Sequence, residues 1–207
     1  MEFHTLLLFT IACLSINLIP GPDVIYIVSN TMKGKMASGM KAALGLGVGY
    51  FVHTLAACLG LSAIILGSAL AFSVVKWLGA AYLLYLGIMS LKSMWQGKSK
   101  LSISNNSKQE SNVFKQGVVV SVLNPKFALF FLSFLPQFID VAAGSTNIQL
   151  LILGLLFSAL ATLCNTIYAI AGSWLFGSRK ASRYTRIIEG VSGFLLVGLA
   201  AKIALSK

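Results

Sequence analysis

Residues 5–28 read TLLLFTIACLSINLIPGPDVIYIV. Pro20, Gly21 and Pro22 interrupt any helix in this apolar run, and Asp23 sets a carboxylate beside the interruption. About a hundred residues later the run from Gly117 to Phe138 holds a second such point, Asn124, Pro125 and Lys126, with an ammonium in place of the carboxylate. An ionisable group at membrane depth is costly and marks a pathway or a binding site more often than not.

That these runs belong in a membrane follows from composition. With 57% hydrophobic and 10% charged residues, a chain of 207 residues cannot be a soluble domain unless most of its apolar surface faces lipid. Six apolar stretches stand out: Thr5 to Val28, Gly39 to Ile65, Val74 to Leu91, Gly117 to Phe138, Ile148 to Leu175 and Ile187 to Leu205. Each is close to or above the ~20 residues a helix needs to cross about 30 Å of hydrocarbon. The alternating ten-residue segments of an outer-membrane barrel are absent. The expected fold is an all-α membrane protein of six spanning helices, with helices 1 and 4 broken at proline. The first stretch is expected to stay as a helix rather than act as a cleaved signal, because Met1 to His4 contain Glu2 and no Lys or Arg.

The net charge of +11 raises nucleic acid as a partner, but the positions of the charges exclude it. The loops after helices 1, 3 and 5, with Lys33, Lys35, Lys41, Lys92, Lys98, Lys100, Lys108, Lys115, Arg179, Lys180, Arg183 and Arg186, carry 12 of the 16 basic residues. These loops share one side. By the positive-inside rule that side is cytoplasmic, facing anionic lipid, and both termini lie outside. Residues 96–115 form a polar cytoplasmic linker between repeat 1 (residues 1–95) and repeat 2 (residues 116–207) of a single transporter domain.

Three helices per half is an odd number, so a duplicated half must insert upside down. Asp23 and Lys126 occupy matching places in the first helix of each half. Gly79 and Gly87 in helix 3 share the eight-residue spacing of Gly190 and Gly198 in helix 6. Inverted repeats with breaks at corresponding positions are the sequence mark of a secondary transporter's site.

The early PGPD (20–23), GLGVGY (45–50), KWLGAAYLLYLGI (76–88), NPK (124–126) and FLPQF (134–138) occur in an order and spacing that resembles the RhtB branch of the LysE amino-acid exporter superfamily. The resemblance covers nearly the whole chain. It implies a multi-pass bacterial inner-membrane protein that exports neutral amino acids or close derivatives such as homoserine lactone in exchange for protons. It implies no cofactor; a homo-oligomer is left open.

The chemistry of the breaks stands without the resemblance. Pro20, Pro22 and Pro125 free the carbonyls of Ile16, Leu18 and Ser121, which a bilayer tolerates only against protein or a wet cavity. Gly21 lets the backbone leave the helix, and Asn124 suits the cap of the next half-helix. Two half-helix N-termini can thus point into one cavity. Asp23 and Lys126 lie roughly 9 and 14 Å from the inner helix ends, near enough in depth to pair directly or through a ligand. A zwitterionic amino acid fits, its carboxylate toward Lys126 and its ammonium toward Asp23; a structural ion pair locking the halves is the alternative. Lys126, in a first turn where the helix dipole disfavours a cation, requires an anion from one source or the other.

Around the breaks, Asn17 is a candidate cavity residue, and Asn165 and Tyr168, at i and i+3, either bond substrate or bond another helix. His53 is either a proton relay or a hydrogen-bonded structural residue. Gly45 and Gly49 point to close helix packing. No nucleophile-and-base pair or H-E-x-x-H motif is present, so no enzyme is expected. Cys13, Cys58 and Cys164 are isolated, and metal ligands are not clustered, which weighs against a metal-cation exporter. A membrane assembly protein would explain the packing glycines but not two matched breaks of opposite charge.

Overall fold

The computed structural model describes residues 3–61, 68–96, 112–175 and 181–205, less the side chains at some helix positions. Its elements are α1 (Phe3–Leu18), α2 (Pro22–Ala56, ending in a widened turn Ala57–Leu61), α3 (Ala69–Gln96), α4 (Val113–Val122), α5 (Pro125–Leu129), α6 (Thr146–Leu175) and α7 (Ala181–Leu205). Among the described residues there is no strand. Of the expected linker 96–115, residues 97–111 lie outside the described residues and 113–115 instead begin α4; the side chains of Lys33, Lys35, Lys76, Glu189 and Lys202 are also outside the described residues.

Two helical segments, Met36–Gly60 and Thr146–Gly172, are long and apolar enough to cross a membrane. Two bent pairs, His4–Leu18 with Pro22–Met32 (56°) and Val113–Val122 with Pro125–Phe138 (44°), each make a further span if taken as one. This count covers the described residues. On α6 the exposed side chains Ile148, Leu151, Ile152, Leu155, Leu163, Ile167 and Ile170 recur at three- and four-residue spacing, so an entire apolar stripe faces outward. A water-exposed stripe of that extent is rare in soluble proteins and is what lipid covers.

The polar segment 29–38, expected as a loop, is helical instead. The axis nevertheless reverses there: Thr31 touches Gly39, positions that a straight helix would hold about 12 Å apart. The segment holds no proline, and helical bonding through the reversal keeps its backbone groups partnered. Thr31 is wedged between Gly39 and Gly172, which seats the reversal on α6.

Packing within the bundle relies on missing side chains. A Cβ on Gly45 would strike the Phe114 carbonyl, and one on Gly49 the Ser121 side chain, so the two glycines form the groove that receives α4. Contacts 45–117 and 49–121 rise together and make α2 and α4 parallel, whereas 39–169, 47–162 and 54–154 make α2 and α6 antiparallel. Gly87 and Gly193 approach reciprocally, each hypothetical Cβ 3.0 Å from the other's carbonyl oxygen, and bring α3 against α7. The glycine that matches Gly87 by spacing, Gly198, meets nothing within 4 Å among the described residues. Similar spacing there does not mean similar packing.

Helix 4 departs from expectation after its break. Only Pro125–Leu129 is α-helical; the chain widens over Phe130–Phe134 and tightens over Leu135–Phe138. Pro136 cannot donate to the turn before it, so the regular ladder ends there. Aromatic packing holds the segment: Phe127, Phe130 and Phe131 all meet Phe157 with centroids 4.8–5.7 Å away, and Phe134 meets Phe138 at 4.8 Å.

Candidate substrate site at the helix breaks

Both breaks end one helix and start another as proline chemistry requires. α1 stops at Leu18, Gly21 is extended at φ −132°, and Pro22 opens α2 with Asp23 in its first turn. α4 stops at Val122 and Pro125 opens α5. Asn124 caps it: its Oδ1 accepts the Lys126 backbone N–H at 3.0 Å and its carbonyl accepts from Phe127 and Ala128.

Lys126 and Asp23 pair directly. Lys126 Nζ donates to Asp23 Oδ1 at 3.0 Å, to Oδ2 at 3.1 Å and to the Ile19 carbonyl at 3.2 Å. All three ammonium protons are therefore used. The side chains are 0% and 6% exposed, which makes this a fully desolvated pair. Asp23 lies favourably at the positive end of its half-helix, while Lys126 opposes the dipole of α5 and depends on Asp23 for compensation. The ammonium also sits 4.5 Å from the Phe127 ring centroid.

Gly21 makes this geometry accessible. A Cβ there would lie 2.7 Å from Asp23 Oδ1 and 3.2 Å from Lys126 Nζ. Beside the pair is a cavity of about 200 Å³ lined by Ile19, Pro20, Gly21 and Pro22, by Asn124, Pro125 and Lys126, and by Tyr82, Tyr85, Leu86, Met89 and Ser90 of α3. Six residues singled out from the sequence thus meet at one cavity, with Asp23 directly behind it. Asn124 adds a donor: with its oxygen committed to the cap, its buried Nδ2 has no partner among the described residues.

The other sequence candidates are not among the residues that line this cavity. Asn17 donates to the Cys13 carbonyl of its own helix at 2.7 Å. Asn165 donates to the Tyr50 hydroxyl at 2.8 Å, and Tyr168 to the freed Leu18 carbonyl at 3.2 Å, so both link helices. His53 Nε2 donates at 3.1 Å to the Ser121 carbonyl, which also accepts the Asn124 backbone N–H at 3.1 Å; the proton sits on that ring nitrogen because a carbonyl only accepts. The α3 wall went unread in the sequence. Tyr82, Tyr85, Leu86 and Met89 follow helical spacing and mark one face, and that was the available signal.

The LysE type translocator model matches residues 14–207. The chain belongs to this family. The membrane protein YrhP of Bacillus subtilis (strain 168) is 35% identical to this LysE-type chain over 98% of it and 100% of its own length. The leucine efflux protein of Enterobacter sp. (strain 638) is 31% identical over 95% of this chain and 93% of its own. That of Salmonella choleraesuis (strain SC-B67) is 28% identical over 95% and 92%. No solved structure matches this LysE-type protein.

Proposed function

We propose that this protein exports neutral amino acids of the leucine type across the bacterial inner membrane by proton antiport. The observation that carries the reading is the Asn124 amide, a buried donor without a protein partner at a cavity that also presents Lys126 and a half-helix N-terminus. Such a set recognises a carboxylate. Arrival of the substrate splits the ion pair: its carboxylate takes Lys126 and the Asn124 amide, and its ammonium takes Asp23 and the Ile19 carbonyl. A proton on Asp23 competes with that ammonium, and the competition couples export to the gradient. The names of the leucine efflux relatives support an aliphatic side chain, as do Leu86 and Met89 in the cavity wall.

On this reading the chain has six spans in two inverted repeats. Contacts come in matched pairs: α1 packs on α6 as α4 packs on α2, while α2 with α6 and α3 with α7 join the halves. The termini lie outside and the basic loops inside.

Efflux from cells loaded with an amino-acid panel tests the function. Leucine and similar residues should leave faster when the protein is made, and collapse of the proton gradient should remove the difference. Equal efflux of every amino acid with and without the protein would refute the proposal. In the same cells a Ser104→Cys thiol should resist an impermeant reagent, and labelling from outside would invert the orientation.

A further inference from the structure

Pro22 and Pro125 each deprive one carbonyl, four residues upstream, of its helical donor. Leu18 and Ser121 both accept from side chains elsewhere, Ser121 in addition to the Asn124 backbone N–H at 3.1 Å. Tyr168 of α6 donates to Leu18 at 3.2 Å, and His53 of α2 donates to Ser121 at 3.1 Å. The two bonds mirror each other: each runs from the second spanning segment of one half to the broken helix of the other half. The His53 ring is further fixed by stacking on Phe131, centroids 5.6 Å apart at 24°. Leu18 ends α1 and Ser121 lies in the last turn of α4, so each bond ties down the end of one half-helix at the break.

We propose that Tyr168 and His53 are positioning residues, crossed clasps that hold α1 and α4 closed and so govern the two exits of the cavity. This rests on the transport reading and orientation given above, in which α1 is an outward half-helix and α4 an inward one. Releasing the Tyr168 clasp frees the outward half, and releasing the His53 clasp frees the inward half. A merely structural pair of bonds would weaken the fold without favouring either face.

The test uses the full chain with Cys13, Cys58 and Cys164 replaced and Ser90→Cys as a reporter on the cavity wall. An impermeant maleimide is applied to intact cells and to inside-out vesicles. Tyr168→Phe should raise labelling from outside about fivefold, the population shift expected from losing one hydrogen bond, and lower it from inside. His53→Phe should do the reverse, and His53→Gln, which keeps an N–H donor, should return toward the parent. Should His53→Phe fail to accumulate, His53→Met removes the donor at similar volume and carries the same expectation. Parent-like labelling in both variants, or shifts toward the same face, would overturn the proposal. Leucine should slow labelling of the reporter in the parent; absence of that protection counts against the transport reading, whereas protection with unshifted clasp variants sinks the clasps alone.

Discussion

The Asp23→Asn, Lys126→Gln double variant is expected to fold and to lose leucine efflux, while each single variant is expected to lose both stability and efflux. The reason lies in the desolvation of the pair. With side chains 0% and 6% exposed, removing one partner leaves the other charge buried and uncompensated, which costs about 3–5 kcal/mol. Removing both charges takes away that penalty, so the melting temperature of the purified double variant should recover toward the parent while the single variants stay low. Transport should not recover, because carboxylate and ammonium recognition have both gone. Efflux restored together with stability would make the pair a structural latch and end the zwitterion reading.

Gly21→Ala should abolish transport through one added carbon. Its φ of −132° is open to any residue, so the change brings no backbone strain. The Cβ instead meets Asp23 Oδ1 at 2.7 Å and Lys126 Nζ at 3.2 Å, atoms locked in a buried pair that cannot give way without breaking. Overpacking of this kind costs about 1–3 kcal/mol, and the displaced pair should reduce efflux at least tenfold, on the order of 1.4 kcal/mol in the barrier. Gly198→Ala, whose Cβ meets nothing within 4 Å among the described residues, should leave efflux and melting unchanged or slightly improved. Normal efflux by the Gly21 variant would show that the pair tolerates displacement.

What could be read from the sequence was local chemistry. Proline's missing N–H places the breaks at Pro22 and Pro125 and frees Leu18 and Ser121, and Asn124 is the residue a half-helix start calls for; the geometry agrees at each point. The direct pairing of Asp23 and Lys126 was one of two arrangements the sequence allowed. Partners from distant segments were out of reach: nothing near Tyr168 or His53 names Leu18 or Ser121 as the acceptor, 150 and 68 residues away. Tyr82, Tyr85 and Ser90 likewise line the cavity from α3, a helix distant in sequence from both breaks. Polarity misled at 29–38, where charged and small residues suggest a loop but helical bonding continues.

Binding of blocked substrates to the purified protein tests the central claim most directly. Leucine, leucine methyl ester and N-acetylleucine share a side chain and differ in which charged end survives. If Lys126 and Asn124 hold the carboxylate while Asp23 holds the ammonium, leucine should bind and each blocked compound should bind at least about tenfold more weakly, the loss of one charge-assisted bond. Equal affinity for all three would contradict the account, since a site indifferent to both charged ends could not be the one the two broken helices build.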